Sequence, residues 1–112
     1  MKNEDLFAAA LQLSAPWFIT KVDFPGTAGT SAARELHIHI DFRKGAEFPC
    51  PADGCGKACP VHDTRDLVWR HASFFQFPCY LHVRVPRVLC PDHEVRQVNL
   101  PFVRPGSGFS PL

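Results

Sequence analysis

An α+β fold is what this sequence predicts: a short N-terminal helix and a β-hairpin, followed by a small antiparallel sheet. Three observations predict it. Apolar residues recur at helical spacing only near the N-terminus. From residue 17 onward they alternate or form short runs suited to strands. The 11 Pro among 112 residues are about twice the average usage and break up longer helices. A chain of this length is one domain's worth and buries roughly 60–70% of its unfolded surface. Ten Phe, two Trp and one Tyr supply bulk for the core.

The helix is predicted first. Asn3 is its expected cap, with Glu4 and Asp5 near the positive end of the helix dipole. Leu6, Ala10 and Leu13 fall on one face with Phe7 and Leu11 beside them, and Pro16 stops the run. Residues 17–24 (WFITKVDF) read as a strand and PGTAGTSAA as a turn-rich connection. Residues 34–42 (RELHIHIDF) alternate: Leu36, Ile38, Ile40 and Phe42 point one way, while Glu35, His37, His39 and Asp41 point the other, toward solvent. Residues 43–65 read as irregular. Two strands are expected at 67–77 and 79–89, separated by Pro78, and Pro86 makes the second an edge strand or breaks it. Residues 95–103 form a last short strand, and 104–108 a turn.

The net charge of +1 is too small for a general polyanion binder, but it is unevenly placed. Residues 65–104 carry six Arg against Asp66, Asp92 and Glu94. Arg65, Arg70, Arg84, Arg87 and Arg96 are therefore candidate DNA contacts, since the planar guanidinium suits phosphates and guanine edges. The plain alternative is a solvated strand face. No apolar run follows a basic leader and none approaches 18 residues, so a cytoplasmic protein without a membrane partner is expected.

Five Cys is an odd count, and cytosolic thiols stay reduced, so metal is the better explanation of them. Cys50-x4-Cys55 and Cys90-x2-His93 form two close pairs, with Pro51, Gly54, Gly56 and Pro91 as turn residues. Zinc takes four ligands tetrahedrally, commonly as two such pairs. The 34 residues between Cys55 and Cys90 allow a two-stranded hairpin, the layout of a zinc ribbon. A structural Zn2+ is expected. Cys59-x2-His62 repeats the second pattern and could replace the first pair. Spacing barely separates the two sets; Gly56 mildly favours Cys50 and Cys55 by leaving room for amide-to-sulfur hydrogen bonds.

Catalytic patterns are missing. His-x-Glu beside Pro-Cys-x-x-Cys, which a zinc deaminase needs, does not occur. No Gly-rich phosphate loop precedes Lys-Ser/Thr. Cys79 lies in an apolar context and reads as core. No catalytic residue and no small-molecule substrate are expected.

Taken together, CPADGCG (50–56), CPVHDT (59–64), VWRHASFFQFPCYLHVRVPRVLCPDH (68–93), RPGSGFS (104–110) and the lead-in LFAAALQLSAPWFITKVDF (6–24) resemble the N-terminal zinc-finger domain of bacterial insertion-sequence transposases of the ISL-three group. The resemblance implies zinc ligation by Cys50, Cys55, Cys90 and His93. It divides the chain into a helix and hairpin (1–49) packed on a finger (50–104), with a tail (105–112) toward a downstream region. In the family a helix-turn-helix region and a three-carboxylate catalytic core follow, and neither is in this sequence. The expectation is a truncated protein or fragment that recognises double-stranded DNA at element ends and is not itself an enzyme. The alternative is a zinc-stabilised protein-interaction module without DNA contact.

Overall fold

The computed structural model describes residues 3–23, 35–74, 77–103 and 108–111. The α+β class is borne out: one short helix, α1 (Asn3–Leu11), accompanies a seven-stranded sheet. The strands are β1 (Trp17–Asp23), β2 (Leu36–Phe42), β3 (Glu47–Pro49), β4 (Ala58–Phe74), β5 (Phe77–Cys90), β6 (Glu94–Gln97) and β7 (Ser110–Pro111), with a 3-10 turn at Pro101–Val103 before the last. The side chain of Asn3 and the connections at 24–34 and 104–107 lie outside the described residues.

The helix ends before Pro16 is reached. Gln12 adopts φ of 57°, its N–H donates to the Ala9 carbonyl, and the Leu13 N–H donates to the Ala8 carbonyl. These are the two bonds of a Schellman cap, which closes the helix without help from proline. The buried face also differs from the expected one. Phe7 (1% exposed) and Leu11 face the core, whereas Leu6 is 43% exposed. The pair at i and i+4 that contains the bulky Phe buries more apolar surface than a stripe through Leu6 would.

The main sheet order is β1-β2-β5-β4-β3, with β6 also paired to β5 and β7 to β4. The sheet is mixed rather than purely antiparallel, because β2 pairs β5 in parallel, Ile38 opposite Leu81 and His39 opposite His82. The alternation in β2 is realised: Leu36, Ile38, Ile40 and Phe42 are buried, and the residues between them half-buried. Cys79, Leu81, Val83 and Val85 of β5 are the matching inward row, each 0–2% exposed. Each buried aliphatic side chain contributes about 1.5–3 kcal/mol. Trp17 anchors one end of the core, with its ring 5.8 Å from Phe42, 5.4 Å from Phe48 and 5.4 Å from Phe102.

Two expectations are corrected. Residues 43–65 are not irregular throughout: β3 and nearly half of β4 lie there, paired through Phe48 and Cys59. Pairing of β4 first with β3 and then with β5 overrides a composition poor in strand formers. Pro86 neither breaks β5 nor puts it at an edge. Opposite β4, β5 pairs β2 through Cys79–Val83 and then β6 from Arg87 onward, so Pro86 falls in the gap between them. Its carbonyl accepts the Val98 N–H at 3.2 Å, which shows that its backbone polar side faces that gap and not β4. The missing N–H therefore costs the β4–β5 ladder nothing.

Candidate metal centre

Two hairpin ends build the centre. The β3–β4 end closes on Cys50, whose N–H donates to the Lys57 carbonyl at 2.8 Å and whose carbonyl accepts from Gly56 at 3.3 Å. The Cys55 N–H donates to the Ala52 carbonyl at 3.0 Å. Gly54 (φ 77°) and Gly56 (φ 72°) flank Cys55 in left-handed backbone that other residues adopt only under strain. The β5–β6 end is tighter: Cys90 pairs with Glu94, and the His93 N–H donates to the Cys90 carbonyl at 3.2 Å. Because β4 pairs β5, with Val61 opposite Val88, the two ends meet.

The donor atoms of Cys50, Cys55, Cys90 and His93 all lie within 4.8 Å of one another. The Cys55 and Cys90 sulfurs are 3.8 Å apart; His93 Nδ1 is 3.7 Å from Cys50 Sγ and 3.5 Å from Cys90 Sγ. A tetrahedron with Zn–S of about 2.3 Å and Zn–N of about 2.0–2.1 Å has edges of about 3.8 Å between sulfurs and about 3.5 Å from sulfur to nitrogen. The donor set fits a zinc ion. Four protein donors would close the coordination shell, which is the character of a structural site.

Electrostatics favour a cation there. The Asp92 N–H and His93 hold the Cys90 thiol down at about 6, against burial. The Ala52 N–H also draws Cys50 down, but burial and the Cys55 and Cys90 sulfurs outweigh it, so that its pKa stands above the ordinary thiol value. Crowded thiols that resist joint ionisation gain most from a metal that neutralises them. Lys57 Nζ bridges to Asp92 Oδ2 at 2.6 Å and ties the two ends on the outside.

The rival pair is separated by its backbone. Cys59 and His62 lie within the extended strand β4, three residues apart. That offset puts them about 10 Å apart along an extended strand. His62 is exposed, while Cys59 is buried beside the cluster with its thiol on the Lys57 carbonyl at 3.2 Å. Cys79 is fully buried in the core, and burial pushes its thiol up to about 12.

The five arginines do not share one setting. Arg70 and Arg84 lie on the outer sheet face, Arg70 over the Tyr80 ring at 5.8 Å. Arg84 lies over Phe42 at 5.0 Å and pairs with Asp41 at 3.1 Å. Arg65 is exposed opposite Val85, on the other face. Arg87 binds both carboxylate oxygens of Asp63. Arg96, exposed on β6, donates to the His93 carbonyl at 3.2 Å. Sequence reasoning missed these ion pairs and one cluster. His82 joins His37 and His39 on the outer face, where all three are half-buried rather than solvated. The period of β5 puts His82 beside Tyr80 and Arg84, but only the parallel β2–β5 pairing brings it to the others.

Residues 46–93 match the zinc-finger of transposase IS204/IS1001/IS1096/IS1165, a little under half of the chain. The resemblance read from the sequence is borne out over that stretch. The match identifies a zinc-finger and no catalytic domain. No curated protein and no solved structure matches the chain. Among the described residues no helix is long and apolar enough to cross a membrane.

Proposed function

We propose, from the match of residues 46–93 to a transposase zinc-finger, that this chain is the zinc-stabilised DNA-binding module of an insertion-sequence transposase. It acts in the cytoplasm on double-stranded DNA at element ends. The observation that carries this reading is that the matched stretch brings together four donors at zinc-like spacing. Cys50, Cys55, Cys90 and His93 would hold the ion, which supplies a cross-link between two hairpin ends and no reaction chemistry. A shell closed by four protein donors would leave no position for an activated water, so this ion would not drive strand cleavage.

Contacts to phosphate come from Arg65, Arg70, Arg84, Arg87 and Arg96. Arg65, Arg70 and Arg96 are exposed and reach a backbone first; Arg84 and Arg87 must give up Asp41 and Asp63. Three neutralised phosphates correspond to a slope of about 3 in log affinity against log salt. Anisotropy titration of the zinc-loaded chain on element-end and scrambled duplexes, from about 50 mM salt upward, tests this. Tighter, salt-sensitive binding to the element end is expected. No binding at the lowest salt would overturn it in favour of a protein-interaction module, a reading favoured by the two arginines already engaged by carboxylates.

A further inference from the structure

A column of titratable side chains crosses the seam between β2 and β5 on the outer face of the sheet. In order it runs Glu35, His37, His82, His39, Asp23. His37 Nδ1 lies 2.8 Å from His82 Nε2, an N–H···N hydrogen bond between residues 45 positions apart. On its far side His37 Nε2 meets Glu35 Oε1 at 3.4 Å. His39 stacks on His82, with centroids 4.5 Å apart and planes 13° apart, and its Nε2 meets Asp23 Oδ2 at 3.5 Å. The backbone seam beneath is the one parallel pairing among the described residues, and it joins the N-terminal hairpin to the ribbon.

We infer that the His37–His82 hydrogen bond is a proton-operated catch on this seam, closed while the pair carries at most one extra proton and open once both rings are charged. An N–H···N bond needs one nitrogen without a proton. The Glu35 carboxylate favours the His37 proton on Nε2, so Nδ1 accepts and His82 Nε2 donates. A first extra proton can enter at His82 Nδ1 and leave the bond intact. A second has only the accepting nitrogen, His37 Nδ1, left to take. Both facing nitrogens then carry hydrogen and both rings are cations, so attraction becomes repulsion. A charged His39, stacked on His82, adds to it.

The other charged groups on this face are largely engaged with one another. From β1, Lys21 pairs with Asp23 at 3.4 Å; from β2 and β5, Asp41 pairs with Arg84 at 3.1 Å. From β4, Arg70 lies over the Tyr80 ring, which stacks on His37 at 5.0 Å. Asp66 of β4 stands opposite Arg84 and lines a groove with His39 and His82. Burial, followed by charges on His39 and His37, lowers the affinity of His82 for a proton, against the pull of Asp23. Above pH 6.5, the ordinary histidine value, the catch is closed; as pH falls below it, the open form takes up a proton that the closed pair refuses. One such proton makes opening about tenfold more frequent for each pH unit in that window.

Nitrogen NMR and amide exchange on the zinc-loaded chain test this, with zinc content followed by native mass spectrometry at each pH. A through-bond coupling between His37 Nδ1 and His82 Nε2 is expected at about pH 7.5 and should vanish by about pH 5.5. Amide protection in β2 and residues 79–83, corrected for the intrinsic exchange rate, should fall about tenfold over the last of these units. His37→Gln and His82→Gln should each abolish the fall, because glutamine hydrogen-bonds without titrating. Loss of zinc would loosen β3, β6 and the strand ends beside them instead, so the two events are told apart by place. No coupling at neutral pH overturns the catch. So does protection in β2 and residues 79–83 that stays level with pH in the unaltered chain, or that falls as far in both variants.

Discussion

The sulfurs of Cys55 and Cys90 stand 3.8 Å apart although 35 positions separate them in the chain. One comes from a loop with glycine on either side, the other from the last residue of β5, and the β4–β5 ladder carries them together. Two thiols at the edge length of a zinc tetrahedron, with Cys50 and His93 completing it, make the first prediction direct. Cys50→Ala, Cys55→Ala, Cys90→Ala and His93→Ala should each lose the tightly held zinc. Cys59→Ala and His62→Ala should keep it, because the extended backbone of β4 splays them apart. Zinc content by native mass spectrometry decides; retention in Cys50→Ala with loss in Cys59→Ala would reverse the assignment.

Removal of zinc should unfold the chain unevenly. Structural zinc is worth roughly 10–16 kcal/mol in zinc-finger peptides, which lack any other core. Here Leu36, Ile38, Leu81 and Val83 form an apolar seam away from the donors. Chelation should therefore raise amide exchange in β3, β6 and the ends of β4 and β5 beside them, and much less in β2 and residues 79–83. Uniform loss of protection along the whole chain would contradict this.

Trp17→Ala should cost about 3–5 kcal/mol, the usual range for removing a buried large aromatic. Trp17 fills the space between Phe42, Phe48 and Phe102, so its loss should be felt in β2, β3 and the 3-10 turn together. Chemical denaturation with zinc saturating in both proteins measures it, and a cost under about 1 kcal/mol would mean that the aromatic cluster repacks.

His82 should make the fold acid-sensitive. Its folded pKa lies below 6.5, chiefly through burial. As pH falls through 6.5, the unfolded chain takes up a proton that the folded chain resists. Stability is full above that value and is lost as pH falls toward the lower folded pKa. Denaturation midpoints compared at about pH 7.5 and about pH 5.5 should fall less for His82→Gln than for the unaltered chain. With zinc held to one equivalent per chain, its release in acid from the cysteine centre is common to both proteins and cancels in the comparison, so equal falls would remove His82 as the cause.

Asp63 holds Arg87 by both carboxylate oxygens, and the guanidinium keeps that carboxyl below its ordinary pKa. If the chain binds DNA as proposed, Asp63→Asn should release Arg87 to a phosphate and steepen the salt dependence by about 0.9. Arg87→Ala in the same background should return the slope to that of the unaltered chain. An unchanged slope in Asp63→Asn would place Arg87 away from the duplex.

Local pattern carried much of this protein. Residues 36–42 announced their buried and outer faces, because a strand repeats every two residues. The two turns with Cys50, Cys55, Cys90 and His93 announced a metal, because few other uses explain paired donors among Gly and Pro. What no local pattern could carry was the choice between equals. Cys59-x2-His62 and Cys90-x2-His93 read alike; one is extended in a ladder and the other folded in a turn, and pairing with β3 and β5 made the difference. Which side of α1 would be buried depended on where the sheet lay beneath Phe7 and Leu11. Tolerance of Pro86 depended on where β2 stopped and β6 began. The meeting of His37 with His82 required a parallel pairing across 45 residues of chain. In each case the deciding energy comes from neighbours distant in sequence, and a sequence period is blind to them.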